Sequence, residues 1–591
     1  MPGKHYSEFV EEAFIAPIRS VLIVDDDYPT FDEMLSAEID RAQHKEPPRT
    51  KSWYSRPERI KKVISRFREP QRPLLVDIHD GSNVTSGEEI EIASHLHQSD
   101  LLVLDFELDK TKEHDGTLAI EIVRRLTKNN HFNLVVVHTS EKLDLVFRQV
   151  LFALLGVRGE FSDGANKERA QALLFKLDGL NDEDAAGDKA ELVTELMTSV
   201  GVDEYLYARL IGDKYIDAVI AGRGAFARFK QAADGLGLAK GELKVLARHF
   251  LSEIEAKVSE ELSEKTIARS WSGDAIKYIA CDSVFVAFSE KGDDDDLLAD
   301  LLASLNVWKP QPSHLFLAKL RAEMDERGVL AQEAVLSNRH ALAHWYHRLL
   351  EADGEKRRWM ISESVARHSE QLLAGILPEV DRFATRLVGK ESGSGPALDI
   401  CDAHFKVDLA NEKEKLLSER EHNAYVSSKA PTGWHLTTGH VFMVGDEYWV
   451  CVSPACDTVP SQLSSAKIDV YGDRLPFMAV KLHPVKKEKK IEDVQTNRYI
   501  FLRLDGEVRA FCYNDPSSDD AAPSWYNLLA DNKGVFGKNF AFKVFLPKRT
   551  SRKVTYSVET ARVVSQLRYE YALNFVQRLG GTMTRIGLDY V

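Results

Sequence analysis

The chain has 591 residues, 44% of them apolar and 29% charged, with 77 Lys/Arg against 92 Asp/Glu and a formal net charge of −15. This is the composition of a globular protein of three or four domains at about 150 residues each, and the acidic balance excludes a chain that coats nucleic acid over its whole surface. Five widely spread cysteines exclude a disulfide framework. No run reaches the ~20 apolar residues of a bilayer span, and the polar start Met1 to Val10 lacks a signal-peptide core, so a reducing cytoplasm is the expected compartment.

In chain order, residues 20–27 read as a first strand. Residues 41–73 are basic, with eleven Lys/Arg against three Glu, interleaved with prolines and with Trp53, Tyr54 and Phe67. This reads as an inserted, exposed excursion with a short helix near 57–68, able to meet nucleic acid or an acidic partner. Residues 73–79 form a second expected strand, Glu88 to Gln98 a helix, and 100–105 a third strand. The apolar positions 118, 119, 122, 123 and 126 fall on one helical stripe. Asn133 to Val137 is a β-branched strand, and Lys142 to Leu155 an amphipathic helix. Strands alternating with helices imply βαβ units and a parallel sheet.

Beyond 156 the pattern changes. Residues 165–385 read as mainly helical, interrupted by a strand-like run at Cys281 to Phe288. Four aspartates, 293–296, suit a solvated turn or helix start. Gly389 to Pro396 has linker composition. Residues 397–425 read as helix, 434–560 as short strands such as His440 to Val444, Glu447 to Val452 and Arg498 to Leu504, and 558–579 as a final helix.

Two of the early strands end in aspartate. Val21-Leu-Ile-Val24 runs into Asp25, Asp26 and Asp27, and Asp100-Leu-Leu-Val-Leu runs into Asp105. Open parallel sheets place ligand sites at the C-terminal edges of their strands. Carboxylates gathered there repel one another and require a cation, and an all-oxygen set favours Mg²⁺.

Val21-Leu-Ile-Val-Asp-Asp-Asp27, Leu102-Val-Leu-Asp105, Asp115-Gly116 leading a helix with Arg124 and Arg125, and Val135-Val-Val-His-Thr139-Ser140 occur in one order. Over roughly residues 18–180 the chain thereby resembles the receiver domain of two-component response regulators. The resemblance implies a flavodoxin-like α/β domain at 1–180, and the residue patterns beyond it give a mainly helical domain at 181–388, a linker at 389–396 and a β-rich α+β domain at 397–591. It further implies that Asp105 accepts a phosphoryl group from a histidine kinase or phosphotransfer protein. Asp25, Asp26, Asp105 and the backbone carbonyl of Glu107 would hold Mg²⁺, and Thr139 would bond a phosphoryl oxygen. The family also needs a lysine after its fifth strand. The candidate is Lys176, in Ala172-Leu-Leu-Phe-Lys176, although no proline follows it and the strand before it is weak. Such a divergent receiver suggests multidomain bacterial signalling, including anti-phage defence.

Two alternatives use the same residues. One is an interaction scaffold whose receiver is never phosphorylated. The other is a haloacid-dehalogenase-like phosphohydrolase built on Asp25, Asp27, Thr139 or Ser140, Lys176, Asp182 and Asp184, but it leaves Asp105 unused and meets Pro29 where Thr or Val is expected.

Elsewhere, His340, His344 and His347 share one helical stretch without the Glu of a zinc motif, and surface or core histidines are expected. Gly439-His-Val-Phe-Met-Val-Gly-Asp-Glu-Tyr-Trp-Val-Cys-Val-Ser-Pro-Ala-Cys-Asp457 resembles a Ser-Pro-x-Cys-Asp strand-turn-strand motif of accessory domains in bacterial defence proteins. Cys451 or Cys456 with His435 or His440 offers a nucleophile pair, against the simpler reading of a structural cysteine. Lys486-Lys-Glu-Lys-Lys490 and Lys548-Arg549 with Arg552-Lys553 read as solvated faces. No phosphate-binding glycine loop or nucleophile-elbow motif occurs, so the chain is expected to relay or buffer a signal to an effector rather than turn over a substrate.

Overall fold

The computed structural model describes residues 4–44, 51, 57–81, 99–108, 114–159, 161, 164–182, 188–292, 295–485, 499–514, 523–549 and 553–583. The expected helix Glu88 to Gln98 and the cluster Lys486 to Lys490 lie outside them.

Among these residues the N-terminal half is built on a seven-stranded sheet. Strands β1 (Ser20–Val24), β2 (Leu75–His79), β3 (Leu101–Leu104), β4 (Asn133–Thr139), β5 (Ala268–Ser272), β6 (Tyr278–Cys281) and β7 (Val284–Glu290) take the order β2-β1-β3-β4-β7-β6-β5. The first five in that order are parallel, while β6 and β5 continue the sheet antiparallel. In register Val24 faces both His79 and Leu104, Leu104 faces Val137, and Thr139 faces Glu290. β1, β2 and β3 therefore end level and β4 and β7 run two residues further, so that Asp25, Asp105, Thr139 and Lys291 gather at one edge.

Both faces of the central strands β1, β3, β4 and β7 are covered, which is why they read as continuous apolar runs rather than alternating ones. Leu22, Val24, Leu102, Leu104, Val135, Val137 and Val286 pack on one side against the helices Thr117–Leu126 and Leu143–Leu154. Val21, Ile23, Leu101, Val103, Val136 and Phe285 pack on the other against Lys4–Val10, Pro57–Phe67 and Leu297–Trp308. The basic excursion is thus a packed element where it is described. Its helix Pro57–Phe67 buries Ile60, Val63 and Phe67 and leaves Glu58, Lys61 and Lys62 exposed.

Among the described residues, six α-helices from Gly164–Asp182 to Lys240–Lys257 stand between β4 with its helix and the β5–β7 strands. Their core is continuous with the first face of the sheet through residues such as Tyr205, Phe226 and Leu246. A buried network ties this insertion to its own entry. Arg209 Nη2 donates to the Gly156 carbonyl at 2.7 Å, and Tyr205 Oη donates to Glu255 at 3.0 Å.

The chain divides into two compact units. One compact unit comprises Met1–Ala322 with Phe383–Lys390, the other Glu323–Arg382 with Glu391–Val591. The boundary expected at 180 falls inside the helix Gly164–Asp182. The Gly/Ser stretch 389–396 is shorter as a connection than its composition suggests, because the helix Gly354–Ser392 runs through its first four residues.

The second unit holds an antiparallel sheet of β8 (Ser428–Lys429), β9 (His440–Val444), β10 (Glu447–Cys451), β11 (Leu475–Pro484), β12 (Tyr499–Leu504), β13 (Glu507–Cys512), β14 (Trp525–Ala530), β15 (Ala541–Arg549) and β16 (Val554–Leu567). Pairing of β10 with β11 closes the path β10-β9-β16-β15-β14-β11 into a six-stranded barrel. Phe442, Trp449, Phe477, Leu528, Phe542 and Val563 belong to one of its buried clusters. The expected helix 558–579 begins only at Tyr569, since the alternating β-branched run through Val564 extends β16 first.

Candidate functional site

Asp25 follows β1 and Asp105 follows β3, and both are almost fully buried at 2% and 7% exposure. Their backbones continue the sheet. Asp25 N–H donates to the His79 carbonyl at 3.0 Å, and Asp105 N–H donates to the Val24 carbonyl at 2.8 Å. Asp26 stands beside them, and one carboxylate oxygen from each of the three lies within 4.8 Å of the others.

The cation in this cluster is Lys291. It directly follows β7, and its Nζ lies 2.9 Å from Asp25 Oδ2 and 2.8 Å from Asp105 Oδ2. Burial lowers its pKa, but the two carboxylates outweigh burial and hold the ammonium charged, above the ordinary lysine range. Asp105 is pushed up to about 7, first by burial and then by the negative charge of Asp25, with Lys291 pulling the other way. Tyr28 is also raised, by burial and by Asp25. One lysine thus compensates two buried carboxylates incompletely. The site has room in its charge balance for a further cation, and its hard oxygen donors fit Mg²⁺.

Thr139, the last residue of β4, is fully buried, and its Oγ1 accepts from Glu141 N–H at 3.1 Å. Glu107 lies two residues beyond Asp105. Its side chain accepts from His114 N–H at 2.6 Å and gathers with His114 and Glu141 at the rim. Gly116 begins the helix Thr117–Leu126, and a Cβ there would run into the Phe106 ring, which explains the glycine after Asp115.

Lys176 is exposed on the helix Gly164–Asp182, whereas the lysine in salt-bridge contact with Asp105 is Lys291. The parallel strand that carries Lys291 is the run Val284-Phe-Val-Ala-Phe288, seen in sequence only as an interruption among helices. Its signal was present: a short buried-type β-branched and aromatic run with a lysine three residues beyond. Asp182 closes that same helix in the insertion, and Asp184 lies outside the described residues.

Residues 17–181 match a family model described as a response receiver domain. The N-terminal domain is a receiver domain. No curated protein and no solved structure matches the chain. The matched segment stops before β7, so the fifth parallel strand of this sheet and the lysine in contact with Asp105 come from beyond a helical insertion. No helix among the described residues is long and apolar enough to cross a membrane.

The other sequence candidates separate from this site. His340, His344 and His347 are exposed on Arg339–Glu351. Cys451 is fully buried in the barrel, and burial pushes its thiol up to about 12. His440 is depressed to about 4 by burial, and its ring is bonded on both sides to backbone, accepting from Thr437 N–H and contacting the Thr432 carbonyl, each at 3.2 Å. These are properties of core residues. Cys456 is exposed. A maleimide applied to the native protein should therefore modify Cys456 and leave Cys451 untouched. Rapid labelling of Cys451 by peptide mapping would reopen the nucleophile assignment.

Proposed function

We propose that this protein is a phosphorelay component in which Asp105 accepts a phosphoryl group from a phosphohistidine donor. The observation that carries this reading is the 2.8 Å contact between Lys291 Nζ and Asp105 Oδ2 in a buried carboxylate cluster. In the reaction the P–N bond of the donor breaks as the P–O bond to Asp105 forms, leaving an acyl phosphate on the protein and an imidazole on the donor. Lys291 is placed to exchange its contact with Asp105 for one with a phosphoryl oxygen. Thr139 supplies a hydroxyl from the next strand end. Asp25 and Asp26, with Asp105 and the Glu107 carbonyl, would hold Mg²⁺, which when bound offsets the charge of the incoming phosphoryl group. Asp105 must be ionised to attack, and its elevated pKa means that neutralising charge nearby favours the reactive form.

The partners of this function are a histidine kinase or phosphotransfer protein upstream and an effector bound through the helical and barrel regions. A cytoplasmic place for these partners follows from the same reading. A role in bacterial anti-phage defence draws its support from the divergent receiver and from the likeness of residues 439–457 to accessory domains of defence proteins.

The test is incubation with a small-molecule acyl phosphate and Mg²⁺, followed by intact mass. Wild type should gain one HPO₃, and Asp105→Ala should gain none. Absence of the adduct with both small-molecule and kinase donors would favour a scaffold with a silent receiver. Sustained phosphate-ester turnover that needs Asp25 and survives Asp105→Ala would favour a phosphohydrolase.

A further inference from the structure

Lys291 stands at the head of a turn that its own sequence leaves loose. Glycine follows it, and a lysine side chain carries about 2 kcal/mol of rotamer entropy. Three contacts nevertheless fix this turn. Lys291 N–H donates to the Thr139 carbonyl at 2.7 Å, extending the β4–β7 ladder by one residue. Gly292 N–H donates to Asp295 Oδ1 at 2.7 Å. The other oxygen of that carboxylate lies 2.9 Å from His138 Nε2, on β4 immediately before Thr139.

Asp295 thus holds the Lys291 turn with one oxygen and the neighbouring strand with the other. The pair is closed to solvent, with side-chain exposures of 2% for His138 and 6% for Asp295. Burial, followed by the charge of Lys291, lowers the His138 pKa and favours a neutral ring that donates Nε2–H to the carboxylate. Arg59 Nη2 lies 3.9 Å from that oxygen. Position 292 is matched to the arrangement, since a Cβ there would come within 2.8 Å of Asp295 Oδ1.

We propose that His138 and Asp295 are positioning residues that clamp the Lys291 turn so that the ammonium meets Asp105. The proposal rests on the phosphoacceptor reading for its functional consequence, but the clamp itself is a separate claim. Nothing in the phosphoryl-transfer chemistry requires a histidine before Thr139 or an aspartate four residues after the lysine. They matter only through Lys291.

The full chain is tested as His138→Leu, Asp295→Ala and the conservative His138→Gln, which keeps a donor at the place of Nε2. Each is also combined with Lys291→Ala. With an acyl phosphate donor and Mg²⁺, His138→Leu and Asp295→Ala should lower the maximal rate of adduct formation about tenfold or more and leave the half-saturating donor concentration nearly unchanged. His138→Gln should retain most of the rate. In the Lys291→Ala background neither substitution should cost anything further, and an equal loss there would overturn the proposal. Acylation footprinting reads the clamp without phosphorylation. Lys291, 11% exposed, should become reactive in His138→Leu and Asp295→Ala, while Lys277, 10% exposed and paired with Asp144 elsewhere in the fold, stays protected. Unchanged Lys291 reactivity sinks the clamp. Altered reactivity in a protein that takes no phosphoryl group sinks the phosphoacceptor reading and leaves the clamp standing.

Discussion

Replacing Lys291 by alanine should slow phosphoryl acceptance by Asp105 on the order of 10²-fold to 10³-fold, the scale of losing one preorganised charge-stabilising donor in a dry site. Lys291→Arg should not restore the rate, because a planar fork cannot occupy the point between Asp25 and Asp105 that one ammonium fills. The same substitution should destabilise the fold with a definite pH dependence. The folded pKa of Asp105, about 7, lies above its ordinary value of 3.8. Its contribution to stability is therefore full below the ordinary value and is lost as pH rises towards 7, where the buried carboxylate becomes charged. Lys291 moderates that loss, since it is one of the causes that lower this pKa. Without it the pKa climbs further and the charged form costs more. Thermal melts of wild type and Lys291→Ala should diverge between about pH 6 and pH 8, with the variant falling further behind at the higher value. Asp105→Asn should reverse the trend, gaining on wild type over the same interval. A gap between wild type and Lys291→Ala that narrows with rising pH would show that Asp105 is not the group being compensated.

The contrast between Lys176 and Lys291 shows which parts of this receiver were legible in sequence. Asp25, Asp26 and Asp105 drew attention because they follow short apolar strands, which burial on both faces makes continuous hydrophobic runs, and Thr139 entered through the resemblance to receivers. The parallel register then brings their ends to one edge. The lysine obeys the same rule at the end of β7, but six helices intervene, and sequence proximity drew the choice to a helix instead. Amphipathic periodicity cannot report which distant strand completes a sheet. His138 was visible only as a letter between a strand and Thr139, because its meaning depends on Asp295, which reads locally as one of four solvated aspartates. The barrel strands were recognised one by one from alternation, yet their closure is a pairing between β10 and β11 that no local pattern encodes. The start of the last helix was misplaced for a related reason: Val558, Val563 and Val564 suit either period until their partners on β9 and β15 are known.

A fragment ending at Asn181, where the family match stops, should fail to fold, whereas one ending at Ser392 should fold cooperatively. The shorter fragment lacks β7, whose Val284, Phe285, Val286 and Phe288 are at most 6% exposed. At roughly 1.5–3 kcal/mol for each large side chain, their loss is on the order of 10 kcal/mol, comparable with the whole stability of a typical domain at about 5–15 kcal/mol. The loss is compounded along β4. Every residue from Asn133 to Thr139 pairs with β7, so an all-buried strand would become an unprotected apolar edge inviting aggregation. The longer fragment retains the complete sheet and also Phe383, whose ring meets Phe9 at 5.4 Å within the same compact unit. Circular dichroism melts and amide dispersion distinguish the two fragments directly. Cooperative unfolding of the fragment ending at Asn181 would mean that the receiver folds without its fifth parallel strand, and that β7 with Lys291 docks onto an already formed domain. The insertion would then act as a tether that delivers the lysine rather than as part of the receiver core.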